Sequence, residues 1–212
     1  MRSTTLVSGM LGTGKSTILE DNRIRCITIE AEAVQARAVE LLKGNDFEEK
    51  YEWKVWEEQE LRSQAPVLLK EALDELHPAL NCGDKPLLIE GAFLVNDMFC
   101  STLLGLLGDY LPEHLRDVEY FVLHLDAQVI SDQIEHRGRP TEYKYIGNIA
   151  RIESERDFFW YIACRSQNNW QQVKSHNDFK QRLDARIASK NGMQRTARKR
   201  AADTRRWQKK QE

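Results

Sequence analysis

Apolar residues along the chain fall into two alternating patterns, short β-branched runs and stretches with helical spacing, and their order predicts an α/β fold. Thr4 to Ser8 is a short apolar run that reads as a buried first strand, and a helical start at Thr17 to Glu20 follows a glycine-rich loop. Asp21-Asn22 punctuates that helix before Arg25 to Ile29 begins a second β-branched run, which leads into Glu30-Ala31-Glu32. Strand, loop, helix and strand within about thirty residues make a βα unit of a parallel sheet. From Ala33 to Lys43 apolar residues recur at helical spacing, and Gly44-Asn45-Asp46 stops the helix. The acidic, aromatic segment Phe47 to Trp56 leads into Glu57 to Leu80, where Pro66 predicts two helices joined near the proline.

Leu87 to Ala92 then reads as a third strand with Glu90 at its carboxyl end, and Asn96 to Leu111 as a buried, leucine-rich helix. Tyr120 to Leu125 is the fourth strand and Ala127 to His136 the helix after it. That helix delivers Arg137-Gly138-Arg139-Pro140 and a polar loop, Thr141 to Gly147, before a last helical stretch from Asn148 to about Ser166. Phe158-Phe159-Trp160-Tyr161 on this stretch is expected to pack inward. From Asn168 onward no apolar strand is visible. The expectation is a three-layer α/β fold with a parallel sheet of four or five strands. A domain over residues 1–166 carries a lid around 137–147, and a helical, basic extension covers 167–212.

Charge and cysteine usage refine this picture. The 212 residues carry a net charge of −2, but Gln181 to Glu212 holds eleven Lys or Arg against three acids, about +8, which leaves about −10 for the remainder. The basic tail has the composition of an electrostatic footprint for nucleic acid, and equally that of a solvated helix. Cys26, Cys82, Cys100 and Cys164 form no C-x-x-C pair, which points to a reducing, cytoplasmic setting. No stretch approaches the apolar length of a membrane span or a signal peptide, so no membrane partner is expected. The five histidines show no zinc spacing.

The candidate chemistry starts at the glycine-rich loop. Gly9-Met10-Leu11-Gly12-Thr13-Gly14-Lys15-Ser16-Thr17 fits G-x-x-x-x-G-K-[ST] between a strand and a helix, the context that makes this pattern a phosphate cradle. Backbone amides of Gly9, Leu11, Gly12, Thr13, Gly14, Lys15, Ser16 and Thr17 would turn toward phosphate oxygens, aided by the helix dipole. Lys15 would reach the outer phosphates of ATP and the Ser16 hydroxyl would face Mg2+. Glu30 and Glu32 lie just past a strand end, where one can serve the metal and the other orient or deprotonate an acceptor. Glu90 either faces the Mg2+ shell or orients the acceptor. Arg137 and Arg139 suit a lid that closes on nucleotide phosphates, with Arg156 as a further acceptor-side cation, although ion pairs with Glu142, Glu153 or Glu155 are the alternative use of these arginines.

With those residues in view, the chain resembles the P-loop small-molecule and nucleotide kinases, the group that includes shikimate, gluconate and nucleoside-monophosphate kinases and the kinase domain of polynucleotide kinases. The resemblance covers about residues 4–165. It rests on Gly9 to Thr17, on Glu30-Ala31-Glu32 as an acid-x-acid pair, on Leu87 to Gly91, on the lid-like Arg137-Gly138-Arg139-Pro140, and on Arg156, Tyr161 and Ala163 as an R-x(4)-Y-x-A pattern. It implies an ATP- and Mg2+-dependent kinase acting on a nucleotide or other small molecule, with Lys15, Glu32, Arg137 and Arg139 catalytic, Ser16 and Glu30 at the metal, and Glu90 and Arg156 at the acceptor. Two alternatives stand beside it. One is a polynucleotide kinase acting on a 5′-hydroxyl or a hydroxylated base through the basic tail; the other is a nucleotide-dependent switch protein, though without a guanine-reading N-K-x-D stretch.

Overall fold

The computed structural model describes residues 3–51, 58–78, 80 and 85–189. Five parallel strands, β1 (Thr4–Ser8), β2 (Ile27–Glu30), β3 (Leu87–Glu90), β4 (Val118–Leu123) and β5 (Trp170–Val173), form one sheet in the order β2-β3-β1-β4-β5. The helices are α1 (Lys15–Asn22), α2 (Ala31–Lys43), α3 (Gln59–Leu76), α4 (Asp97–Tyr110), α5 (Ala127–Arg137), α6 (Ile149–Arg165) and α7 (176–189). Short 3-10 turns cover Glu48–Tyr51, Ala92–Val95 and Pro140–Tyr145.

Because a parallel sheet is covered on both faces, its central strands β1 and β3 are buried along their whole length, and alternate residues feed two cores. Leu6, Ile29, Leu87, Ile89 and Val122 pack under α2, α3 and α4 on one face. Val7, Leu88, Phe121, Leu123 and Val173 pack under Ile18 and Leu19 of α1 and Phe179 and Leu183 of α7 on the other. A smaller cluster, including Met10, Ile130, Ile134, Tyr145 and Ile152, holds α5, the Pro140–Tyr145 turn and α6 together above the sheet. Asn96, Asp126 and Asn148 cap α4, α5 and α6 with side-chain oxygens.

Three expectations need correction, and the expected four or five strands resolve to five. Pro66 does not divide its segment: α3 runs unbroken through it. The proline is exposed, so water can serve the carbonyl that loses its helical donor, while Leu61, Ala65, Leu68, Leu69, Ala72 and Leu73 hold the buried face in place. A fifth strand does exist. β5 is an edge strand, Trp-Gln-Gln-Val, whose register pairs Tyr120 with Trp170 and Leu123 with Val173; its ends are buried and its glutamines half-buried. The boundary expected at 166–167 therefore falls inside the packed unit, since β5 and α7 complete the sheet and its second core. The aromatic run on α6 is not all core. Phe158 and Tyr161 are about half exposed, because four consecutive helical positions sweep most of the circumference and cannot all face inward. Cys26 and Cys100 are buried and Cys164 is exposed, all as free thiols. Among the described residues no helix is long and apolar enough to cross a membrane. The basic tail from 190 onward, the segment 52–57 and Cys82 lie outside the described residues.

Candidate active site

The phosphate loop leaves the carboxyl end of β1, the central strand, where the chain order reverses between β3 and β4. Such switch points open a crevice at the strand ends. Gly12 and Gly14 have φ values of +82° and +75°, a left-handed conformation that glycine adopts without strain. A Cβ on Gly12 would lie 2.6 Å from Cγ1 of Ile134, and one on Gly14 would lie 2.7 Å from Cε1 of His176. Both positions thus need glycine for backbone angle, and Gly12 also for space against the fully buried Ile134. Gly14 also serves as the N-cap of α1, with no side chain accepting the first-turn amides, so those donors face the crevice. Inside the loop the Thr13 hydroxyl donates to the Met10 carbonyl at 2.9 Å. Lys15 folds back, its Nζ donating to the carbonyls of Gly9 at 3.0 Å and Met10 at 3.3 Å.

A cavity of about 600 Å³ lies over this loop. It gathers Lys15, Ser16 and Thr17 with Glu30 and Glu32 from the β2–α2 junction and with Arg137 and Arg139 from the end of α5. The parallel register explains the acids, for Glu30 lies opposite Glu90, and Glu90 opposite Val7, at three adjoining strand ends. Carboxylate oxygens of Glu30, Glu32 and Glu90 all lie within 4.8 Å of one another. Glu90 is fully buried; its Oε1 accepts from the Ser16 hydroxyl at 3.4 Å, and its Oε2 has no hydrogen-bond partner. Burial pushes its carboxyl up to about 7; Lys15 opposes the shift, while Glu32 and Glu30 add to it. Glu32 is fixed from the other side, accepting the Ala92 N–H at 2.7 Å.

Three clustered carboxylates and a hydroxyl, with an orphaned buried oxygen among them, are an all-oxygen donor set suited to a hard divalent cation. The geometry places Glu90, rather than Glu30 alone, beside Ser16. Beyond the end of α5, Glu142 is buried between the two arginines, 3.5 Å from Arg137 and 3.8 Å from Arg139, and neither of its oxygens has a hydrogen-bond partner. The arginines' ion-pair use and their place in the cavity are therefore both present. Arg156 does not line the cavity. Its guanidinium donates to the Leu125 carbonyl at 3.3 Å and pairs with Asp157 at 2.9 Å, which draws the Asp157 carboxyl below its ordinary range.

Several lining residues carry no mark in the linear sequence. Asp132, Gln133 and His136 form a polar face of α5 beside Arg137, a face that helical projection of Ala127 to Arg137 would have exposed. His176 begins α7, and its Nε2 donates to the Thr13 carbonyl at 2.7 Å. Only the pairing of β5 with β4 brings it there, so no local pattern could have found it.

No family model and no curated protein sequence matches the chain. Among solved structures, a gluconokinase from Sinorhizobium meliloti 1021 is 15% identical with a TM-score of 0.45, covering 92% of this chain and 99% of that one. A shikimate kinase from Acinetobacter baumannii in complex with shikimate is 12% identical at 0.43, covering 90% and 95%. Deoxyadenosine kinase from M. mycoides with bound dCTP is 13% identical at 0.41, covering 89% and 99%. At these scores the likeness bears on neither activity nor substrate. Its own strand order, parallel register and glycine-loop geometry show an α/β fold with a five-stranded parallel sheet and a glycine-rich loop running from the central strand into α1.

Proposed function

We propose that the protein is an ATP- and magnesium-dependent phosphotransferase that moves the γ-phosphoryl group to a hydroxyl or phosphate on a nucleotide or other small molecule. One observation carries this reading. A single cavity combines an amide cradle and Lys15 with a carboxylate cluster on one side and two arginines on the other. Phosphoryl transfer asks a protein for little else, since positioning and charge neutralisation supply most of the catalysis.

The loop amides and Lys15 hold the β- and γ-phosphates, once Lys15 exchanges the Gly9 and Met10 carbonyls for phosphate oxygens. Ser16, Glu90 and Glu30 would hold Mg2+, which when bound neutralises charge between the outer phosphates. Arg137 and Arg139 exchange Glu142 for phosphate oxygens and follow charge onto the transferred group. A hydroxyl acceptor forms the new O–P bond as the bond to the β-bridging oxygen breaks, and Glu32, fixed by the Ala92 amide, takes the hydroxyl proton.

Lys15→Ala tests the reading. Transfer from MgATP should fall about 10²-fold or more, as when one charge-stabilising donor is removed, while far-UV circular dichroism is retained. Transfer at the wild-type rate in a folded Lys15→Ala protein would refute it.

A further inference from the structure

His176 stands between two cavities. It lines the cavity over the glycine-rich loop, and with Gly14 and Thr17 it also lines a second one, of about 480 Å³, between α1 and α7. Its place is set by rigid elements. β5 ends at Val173, whose carbonyl accepts the His124 N–H at 2.8 Å, and Ser175 then caps α7, its hydroxyl oxygen accepting the Asp178 N–H at 3.1 Å. One turn on, Phe179 is buried in the second core with its ring edge-on to Phe121 at 5.6 Å. The imidazole is thereby held against Gly14, with Nε2 2.7 Å from the Thr13 carbonyl oxygen. A carbonyl can only accept, so Nε2 carries the proton.

That bond fixes one peptide plane. No cis peptide occurs among the described residues, and in a trans peptide the C=O and the following N–H point opposite ways, so a Thr13 carbonyl held on His176 sends the Gly14 N–H away from the imidazole. Among the described residues that N–H meets no acceptor, and Gly14 lines the phosphate cavity. The backbone alone does not select this orientation, because a glycine adopts φ of either sign and Gly14 borders open space in both cavities. Nor do the loop's own side chains select it. The Thr13 hydroxyl bonds the Met10 carbonyl, and Lys15, on the Gly9 and Met10 carbonyls, must release them to meet phosphate. Among the described residues His176 alone brings a side chain from outside the loop onto a loop carbonyl. Resting on the part of the phosphotransferase reading that gives the loop amides to phosphate, we infer that His176 is a positioning residue of the cradle: by holding the Thr13 carbonyl it presents the Gly14 N–H to an outer phosphate of the nucleotide. It acts through that amide and not through contact with the nucleoside.

Calorimetric titration of the full-length protein in Mg2+ buffer tests this without turnover. The probes are a non-hydrolysable ATP analogue and inorganic tripolyphosphate, which has the phosphates and no nucleoside. His176→Ala should weaken both by the same factor, about tenfold, the scale of one oriented hydrogen bond, with far-UV circular dichroism retained. His176→Gln, whose amide Nε2 can donate to the same carbonyl, should recover most of the loss for both. Unchanged affinities in His176→Ala would overturn the assignment. So would a loss confined to the ATP analogue, which would put the imidazole on the nucleoside, or a Gln variant as weak as the Ala variant, which would make ring packing the cause. Equal loss of both probes in His176→Ala, from a wild-type protein that transfers phosphate to no acceptor, would leave this role standing and overturn the phosphotransferase reading. Transfer from ATP with unchanged probe affinities in His176→Ala would do the reverse.

Discussion

Glu90 is buried beside two other carboxylates with one oxygen unpartnered, so pH and cations act on this fold through its ionisation. Its carboxyl titrates near 7 in the folded protein against an ordinary value of 4.5, so the protonated form is favoured by folding. The stability this contributes is present below about 4.5 and is lost as pH rises through about 7, up to about 3 kcal/mol in all. In metal-free buffer the melting temperature should fall between pH 5 and pH 8 by about 6–10 °C. Glu90→Gln should flatten that fall, and Mg2+ should restore the wild-type protein at pH 8 more than the variant; a wild-type profile as flat as the variant's would contradict the assignment. Gly12 makes a separate demand, combining a left-handed φ with a Cβ position occupied by Ile134. Gly12→Ala should cost about 2–3 kcal/mol in urea denaturation and loosen the loop's hold on ATP.

At the scale of elements, β5 is secured by its ends. Trp170 is buried, meets the Tyr120 ring edge-on at 5.2 Å, and donates from Nε1 to the Ser166 hydroxyl at 3.2 Å. Trp170→Ala should destabilise the protein by about 3–5 kcal/mol, read from the urea midpoint at constant slope. This strand also marks where the sequence stops being legible. The inner strands β1, β3 and β4 announce themselves because strands covered on both faces are rich in apolar residues, edge strand β2 because its run Ile27-Thr28-Ile29 is β-branched, and the glycine-rich loop because its glycines have fixed positions. An edge strand with Gln171 and Gln172 at its centre has no such obligation, and Pro66 is tolerated because it faces water. The acids were visible as strand-end residues, but that Glu90 rather than Glu30 alone adjoins Ser16 depends on strand register. His176 and the retreat of Arg156 to the Leu125 carbonyl depend on packing between distant segments.

Across the whole molecule, binding and anchoring occupy opposite edges of the sheet. The carboxyl ends of β1, β2 and β3 carry the phosphate loop and the acid cluster. At the amino-terminal edge, buried Arg186 of α7 donates to the carbonyls of Thr4 at 3.2 Å and Asp117 at 2.7 Å and pairs with Asp117 and Glu119. That anchorage holds α7 against the sheet and so keeps His176, at its other end, on the phosphate loop. Under the proposed function this edge transfers phosphate rather than merely holding a nucleotide. Incubation with γ-labelled ATP, Mg2+ and an acceptor panel that includes nucleosides, nucleotides and sugar acids tests it most directly. Label should enter an organic acceptor with the wild-type protein, fall about 10²-fold or more with Lys15→Ala, and disappear when the metal is chelated. Label recovered only in ATP and inorganic phosphate across the whole panel would contradict the account.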